Sequence, residues 1–189
     1  WTYPIAALGY PAINAGRDNG VAVFGQRGGG AFKWQFGAFE GTQGGSNTED
    51  KPVFSGRLTW NLWDPEPGYY NSSTYYGAKD VLAIGLVGMT QDNGTGTSTD
   101  AGDFNAWNVD VLMEKSLAGG GVLSLEGAYY DYDRDGKGDG DEDGSFVLAS
   151  YLMPNKVGTL GGRIQTMARF QEFESRELTE VGLNYVIDG

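Results

Sequence analysis

The sequence predicts an all-β protein: an antiparallel transmembrane β-barrel of which about nine strands lie in this chain. Three observations carry that expectation. Bulky apolar and polar side chains alternate along most of the chain, as in Phe32-Lys33-Trp34-Gln35-Phe36. Successive side chains of a strand face opposite ways, so alternation gives each segment one apolar and one hydrated face. Second, turns rich in glycine separate these segments, and glycine reaches 32 residues. Third, no run of some 18 apolar residues occurs, whereas a membrane helix needs about 20. A barrel strand needs no such run, because half its positions can be polar.

Along the chain, residues 1–19 are broken by Pro4, Gly9, Pro11 and Gly16 and read as a loop or partial strand leading into the barrel. Residues 20–189 read as barrel strands with acidic external loops. Strands are expected near 20–27, 31–39, 52–63, 79–91, 103–115, 121–132, 145–153, 159–171 and 178–187. Most approach the roughly 9 to 11 residues of a tilted membrane strand. One face carries Phe32, Trp34, Phe36, Phe54, Leu58, Trp60, Trp107, Val109, Val111, Leu125, Phe170, Val181 and Leu183. The opposite face carries the candidate pore-lining residues Lys33, Arg57, Asp110, Glu114, Glu126, Arg163, Arg169 and Glu180. Segments 79–91 and 145–153 are apolar on both faces and leave the register open.

The connections are expected to alternate in length, as in outer-membrane barrels. Gly28–Gly30, Ser116–Gly120 and Pro154–Gly158 are short; Gly41–Lys51, Asp92–Gly102 and Asp131–Gly144 are long and polar. The stretch from Asp64 to Ala78 is long although it falls in a short-side slot. Its Tyr69, Tyr70, Tyr75 and Tyr76 suit an interfacial aromatic belt, or else pack over the turn.

Composition excludes several function classes. A net charge of −12 opposes binding to nucleic-acid phosphate. With no Cys and no His, thiolate sites, histidine-ligated zinc and Ser-His or Cys-His catalytic pairs are out of reach, so no enzyme is expected. The first residue is Trp1 rather than Met, and Asn184-Tyr185-Val186-Ile187-Asp188-Gly189 stops where a strand meets a turn. Nine strands are also an odd count for a bacterial barrel. The expectation is a fragment of a larger barrel.

Several segments in this order resemble the phosphate-selective porin O and P family. They are Arg17-Asp18-Asn19-Gly20-Val21-Ala22-Val23-Phe24-Gly25, Phe32 to Gly41, Phe54-Ser55-Gly56-Arg57-Leu58, Asp64-Pro65-Glu66-Pro67-Gly68-Tyr69-Tyr70, Lys79-Asp80-Val81-Leu82-Ala83-Ile84-Gly85, Ala149-Ser150-Tyr151-Leu152-Met153-Pro154 and Glu180-Val181-Gly182-Leu183-Asn184-Tyr185. The resemblance implies a barrel of 16 or a similar number of strands in the bacterial outer membrane. It also implies a homotrimer, contact with bilayer and lipopolysaccharide, and passive diffusion of ions and small polar solutes. Only Lys33, Arg57, Arg163 and Arg169 are inward bases, so a general porin rather than a phosphate channel is expected. The alternative is a secreted or surface β-sandwich that binds or adheres, with its aromatic residues in one dry core.

Two local hypotheses remain. The inward charges either form separate basic and acidic arcs that orient solutes, or pair across strands and stiffen the wall. The segment Asp131 to Glu142 matches a twelve-residue calcium loop, with Asp131, Asp133, Asp135, Asp139 and Glu142 at carboxylate positions and Gly136 at the sixth. Gly138 stands where such loops carry an aliphatic anchor, and the flanks read as strands. The other reading is an acidic external loop. Apart from possible Ca²⁺ there, no cofactor is expected. Gly28-Gly29-Gly30 fits a tight hairpin turn better than a phosphate cradle, which needs a helix start.

Overall fold

The computed structural model describes residues 18–68, 74–137 and 140–187. They form one nine-stranded antiparallel sheet in which each strand pairs with the next in sequence. The strands are β1 (Gly20–Arg27), β2 (Phe32–Phe39), β3 (Val53–Asn61), β4 (Val81–Thr97), β5 (Asp100–Ser116), β6 (Val122–Asp133), β7 (Glu142–Val157), β8 (Gly162–Phe173) and β9 (Arg176–Val186). The only helix among the described residues is a single 3-10 turn, Gly28–Gly30, between β1 and β2. The sheet does not close: β1 and β9 each have one neighbouring strand.

Every segment expected to be a strand is one, but three expected connections differ, that at Asp131–Gly144 shrinking to 134–141. Asp92–Gly102 is not a long loop: β4 continues to Thr97 and β5 begins at Asp100, leaving Ser98 and Thr99 as the turn. The pairing slips between Gln91 and Thr95, so the Asn- and Gly-rich run is absorbed as a bulge in a protruding ribbon. Pro154 does not end β7 either. It falls where the register with β8 shifts between Leu152 and Lys156, a bulge that tolerates a residue without an N–H, and the turn follows at 158–161.

Register fixes two faces. One row of opposed residues crosses all nine strands: Arg27, Phe32, Trp60, Ile84, Val111, Gly127, Val147, Phe170 and Thr179. Beside it run Leu82, Met113, Leu125, Ala149, Ala168 and Val181. This outer face is open, with Val181 84% and Leu183 75% exposed and Phe36, Phe54, Trp107 and Val147 also exposed. The other face is the more buried one. It holds Val53, Val81, Ala83, Val122, Leu148 and Leu152 together with buried Lys33, Thr59, Asn61, Glu114, Gln165 and Arg169. A compact aromatic cluster, Phe104, Tyr132 and Phe173, closes its loop-side end.

Candidate functional site: the polar inner face

All eight candidate wall residues share the inner face. Lys33 opposes Thr59, which opposes Gly85 and then Asp110. A second row runs from Asn61 through Ala83, Leu112, Glu126 and Leu148 to Arg169 and Glu180. Strand alternation puts Arg57, Glu114 and Arg163 on the same side.

The charges interlock across strands. Arg57 on β3 and Asp110 on β5 flank β4 and meet in a two-pronged ion pair. Nη1 lies 2.6 Å from Oδ2 and Nη2 lies 2.7 Å from Oδ1. Arg57 Nε also donates to Thr59 Oγ1, and Asn108 Nδ2 donates to Asp110 Oδ2. This bridge passes over Gly85, because a Cβ there would sit 2.6 Å from both Asp110 carboxylate oxygens and closer still to Arg57 Nη2. On β8 and β9, Arg169 pairs with Glu180. Two of the four bases thus pair with acids across strands, while Lys33 and Arg163 also donate to backbone carbonyls of the β3–β4 connection. Glu126 lies near Glu114, so the two like charges repel.

Glu114 is buried, and its carboxylate accepts hydrogen bonds from Thr74 Oγ1 (2.9 Å), Tyr75 N (3.0 Å), Gly77 N (2.8 Å) and Ser124 Oγ (3.4 Å). Three of these donors belong to the β3–β4 connection, residues 62–80. Lys33 Nζ donates to Glu66 O at 3.2 Å, Tyr75 Oη donates to Glu66, and Arg163 Nη2 reaches Tyr76 O at 3.4 Å. The described parts of this connection therefore lie against the inner face. The Tyr75 hydroxyl is bound within it to Glu66, whereas the Tyr76 side chain is exposed; Tyr69 and Tyr70 fall outside the described residues.

At the root of this connection, Asp80 accepts from Lys115 Nζ and from the Ser116 N–H at 2.8 Å. Those hydrogen bonds, Lys115 first, hold its carboxyl below the ordinary carboxylate range. At the opposite end, loop 40–52 is fastened by buried Gln91. Its amide donates to Glu40 O, Thr42 O and Lys51 O and accepts from Thr42 N. Asn47 closes the same loop on Thr42 O, Lys51 O and Lys51 N.

Among the described residues the calcium-loop carboxylates are not gathered into one group. Asp131 and Asp133 lie in β6, on its outer face, and Glu142 begins β7, where it pairs with Arg134. Asp133 Oδ1 accepts from Asp135 N, and Asp141 Oδ1 caps Arg134 N and Gly136 N. Those backbone donors, Arg134 first, hold the Asp141 carboxyl below its usual value. Lys137 is pushed up by its hydrogen bond to Asp100. Asp139 is outside the described residues, and among the described residues no three carboxylates are grouped to hold a metal ion. Across the described ends of this segment, Arg134 and Glu142 form an ion pair.

Sequence reasoning missed Gly85, Gln91, Asn47 and Glu66. Gly85, Gln91 and Glu66 meet partners distant in sequence, for which local pattern carries no signal; Asn47 binds Thr42 and Lys51 within its own loop. Compared with protein-family models, curated proteins and solved structures, the chain matches none.

Proposed function

We propose that this chain is part of an outer-membrane β-barrel, a general porin through which ions and small polar solutes diffuse passively. One observation carries the reading: apolar side chains occupy the exposed face, while the mid-strand charges lie on the buried one. In water an apolar surface of this extent would associate with whatever could cover it, whereas hydrocarbon suits it without further cover. The row from Phe32 through Trp60, Ile84, Val111, Val147 and Phe170 contains no charge over that whole span. Lys115, on the outer face by register, lies at the strand end with its ammonium over the Trp63 ring, 5.0 Å from the centroid, as an interfacial cation does.

Open sheet edges do not face lipid, so further strands complete the barrel beside β1 and β9. A homotrimer, with lipopolysaccharide around the loop end, is the assembly proposed. Lys33, Arg57, Asp110, Glu114, Glu126, Arg163, Arg169 and Glu180 would line the passage. Four bases and four acids, with no net sign between them, suit a general diffusion path better than one tuned to phosphate. Passive diffusion asks for no catalytic group.

The test is reconstitution. The protein is expected to require detergent for a monodisperse preparation and to give stepwise, ohmic currents in a planar lipid bilayer. A preparation that stays monodisperse in plain buffer and gives no current would sink this reading in favour of the soluble binding module.

A further inference from the structure

The inner face presents one geometric problem twice and resolves it in two ways. Arg57 and Asp110 lie on the strands that flank β4, and they bridge over Gly85, which has no side chain to obstruct them. Glu126 on β6 and Arg169 on β8 flank β7 in the same manner, but the residue between them in that row is Leu148. Leu148 is 3% exposed, and strand parity sets its side chain on the inner face between acid and base. Arg169 pairs on its other side, with Glu180. On the far flank of Glu126 the row continues through Leu112 and Ala83, whose side chains donate no hydrogen bond.

Glu126 is therefore set apart from the other wall acids. Asp110 is bridged by Arg57, Glu180 by Arg169, and Glu114 accepts from four donors. Among the described residues no hydrogen bond or ion pair reaches Glu126, and the charge that acts on it is that of Glu114, of like sign. Its side chain is only half-buried, so it keeps access to water. Of the remaining bases, Lys33 is buried close to the Glu66 carboxylate and Arg163 donates to Tyr76 O. Balance in sum is thus not balance in place: the β5–β6 stretch of the wall is locally negative. A half-buried carboxylate without compensation is costly, and proteins keep such local inconsistencies chiefly at functional positions.

We propose that Glu126 is the residue that determines the ion preference of the passage, favouring small cations over anions at mid-wall. The proposal rests on the porin reading and deepens it. In a narrow aqueous path between low-dielectric walls, a lone charge raises the local concentration of its counter-ions. A close ion pair presents only a dipole, whose field falls off faster, so Arg57–Asp110 and Arg169–Glu180 contribute less. Leu148 preserves the effect by keeping Arg169 from Glu126.

Two measurements test it on the whole protein. The first is the reversal potential in a planar bilayer under a potassium chloride gradient. Strands beyond β1 and β9 add charges of their own, so the quantity to read is the change on substitution. Glu126→Gln should lower the potassium-over-chloride permeability ratio about threefold, since a unit charge several ångströms away in water biases ion populations by roughly that factor. Glu126→Asp keeps the charge and should keep the wild-type potential. Glu49→Gln, the same charge change on the exposed 40–52 loop, should also leave it in place. The second measurement needs no current: carboxyl NMR of labelled protein in detergent, titrated with Mn²⁺, with Glu126→Gln assigning the signal. The Glu126 resonance should broaden at several-fold lower Mn²⁺ than those of Asp110 and Glu180, whose oxygens are engaged by arginine. Early broadening with no current in bilayers would sink the porin reading and keep Glu126 as the cation-attracting carboxylate. Normal current with the same reversal potential in wild type and Glu126→Gln would overturn the proposal and keep the porin, and so would broadening of Glu126 no earlier than Asp110.

Discussion

Gly85→Ala tests whether the inner wall is built around its ion pairs. The added methyl would fall 2.6 Å from each Asp110 carboxylate oxygen, so the Arg57–Asp110 bridge must shift or break. Both side chains are about a third exposed, at 32% and 29%. The bridge therefore lies between an exposed pair and a buried one, and about 2 kcal/mol is a reasonable worth for its two charge-assisted bonds. Alanine is favoured over glycine inside a strand by roughly 0.5 to 1 kcal/mol, which offsets part of that loss. The net cost of Gly85→Ala should be about 1 kcal/mol, a small figure that alone proves little. Its dependence on Arg57 is the sharper quantity. In an Arg57→Ala background the methyl meets only the Asp110 carboxylate, which has no bridge left to hold it in place, so Gly85→Ala should turn stabilising, with a coupling of about 2 kcal/mol between the two positions. Urea titrations of all four proteins folded into the same lipid vesicles provide the cycle. A coupling near zero would refute the claim that the glycine exists to let the bridge pass.

Three further outcomes follow from other parts of the molecule. Ile84→Arg places a cation in the middle of the uncharged outer row and should destabilise the vesicle-inserted protein by about 2 to 4 kcal/mol, read by the same titration; an unchanged midpoint would show that this row does not face hydrocarbon. The Asp80 carboxyl, held low by Lys115 and Ser116, lends stability that is present above the unfolded carboxylate pKa of about 4 and lost as pH falls through its lower folded value. Carboxyl NMR of labelled aspartate should show Asp80 titrating below the ordinary carboxylate range and rising part of the way back in Lys115→Ala, where the Ser116 N–H still holds it. Calorimetric titration with Ca²⁺ should give no saturable heat at millimolar concentration, since Arg134 already occupies Glu142 and backbone N–H groups occupy Asp141; saturable heat abolished by Glu142→Gln would reverse that assignment.

How far the sequence reveals this arrangement depends on the range over which each feature is decided. Strand identity and side follow from a period of two, so Trp34 with Phe36 and Lys33 with Gln35 separate correctly on sight. The segment at Val81 is apolar on both sides, and only its pairing with β3 and β5 places Ile84 and Leu86 outward with Ala83 and Gly85 inward. Breaker residues mislead where a bulge can absorb them, which is why Asn93-Gly94 and Pro154 read as turns. Pairing of charges lies deeper still. That Arg57 and Asp110 share a face is a matter of parity, but that they meet depends on a register across β4 that neither neighbourhood encodes. The same holds for Glu114, whose partners lie some forty positions upstream in a segment read as a misplaced turn.

Because every strand of this meander pairs with its immediate successor, each new hairpin can dock on the one already formed. No distant part of the chain need arrive first, so the contact order within the sheet stays low and its assembly is a sequence of local closures. The 62–80 connection is the exception: its hold on Arg163 spans 87 residues and can be completed only after β8 is in place. Growth of the sheet and docking of this contact should accordingly separate in time, with the short ribbons appearing early and the Arg163–Tyr76 contact made last.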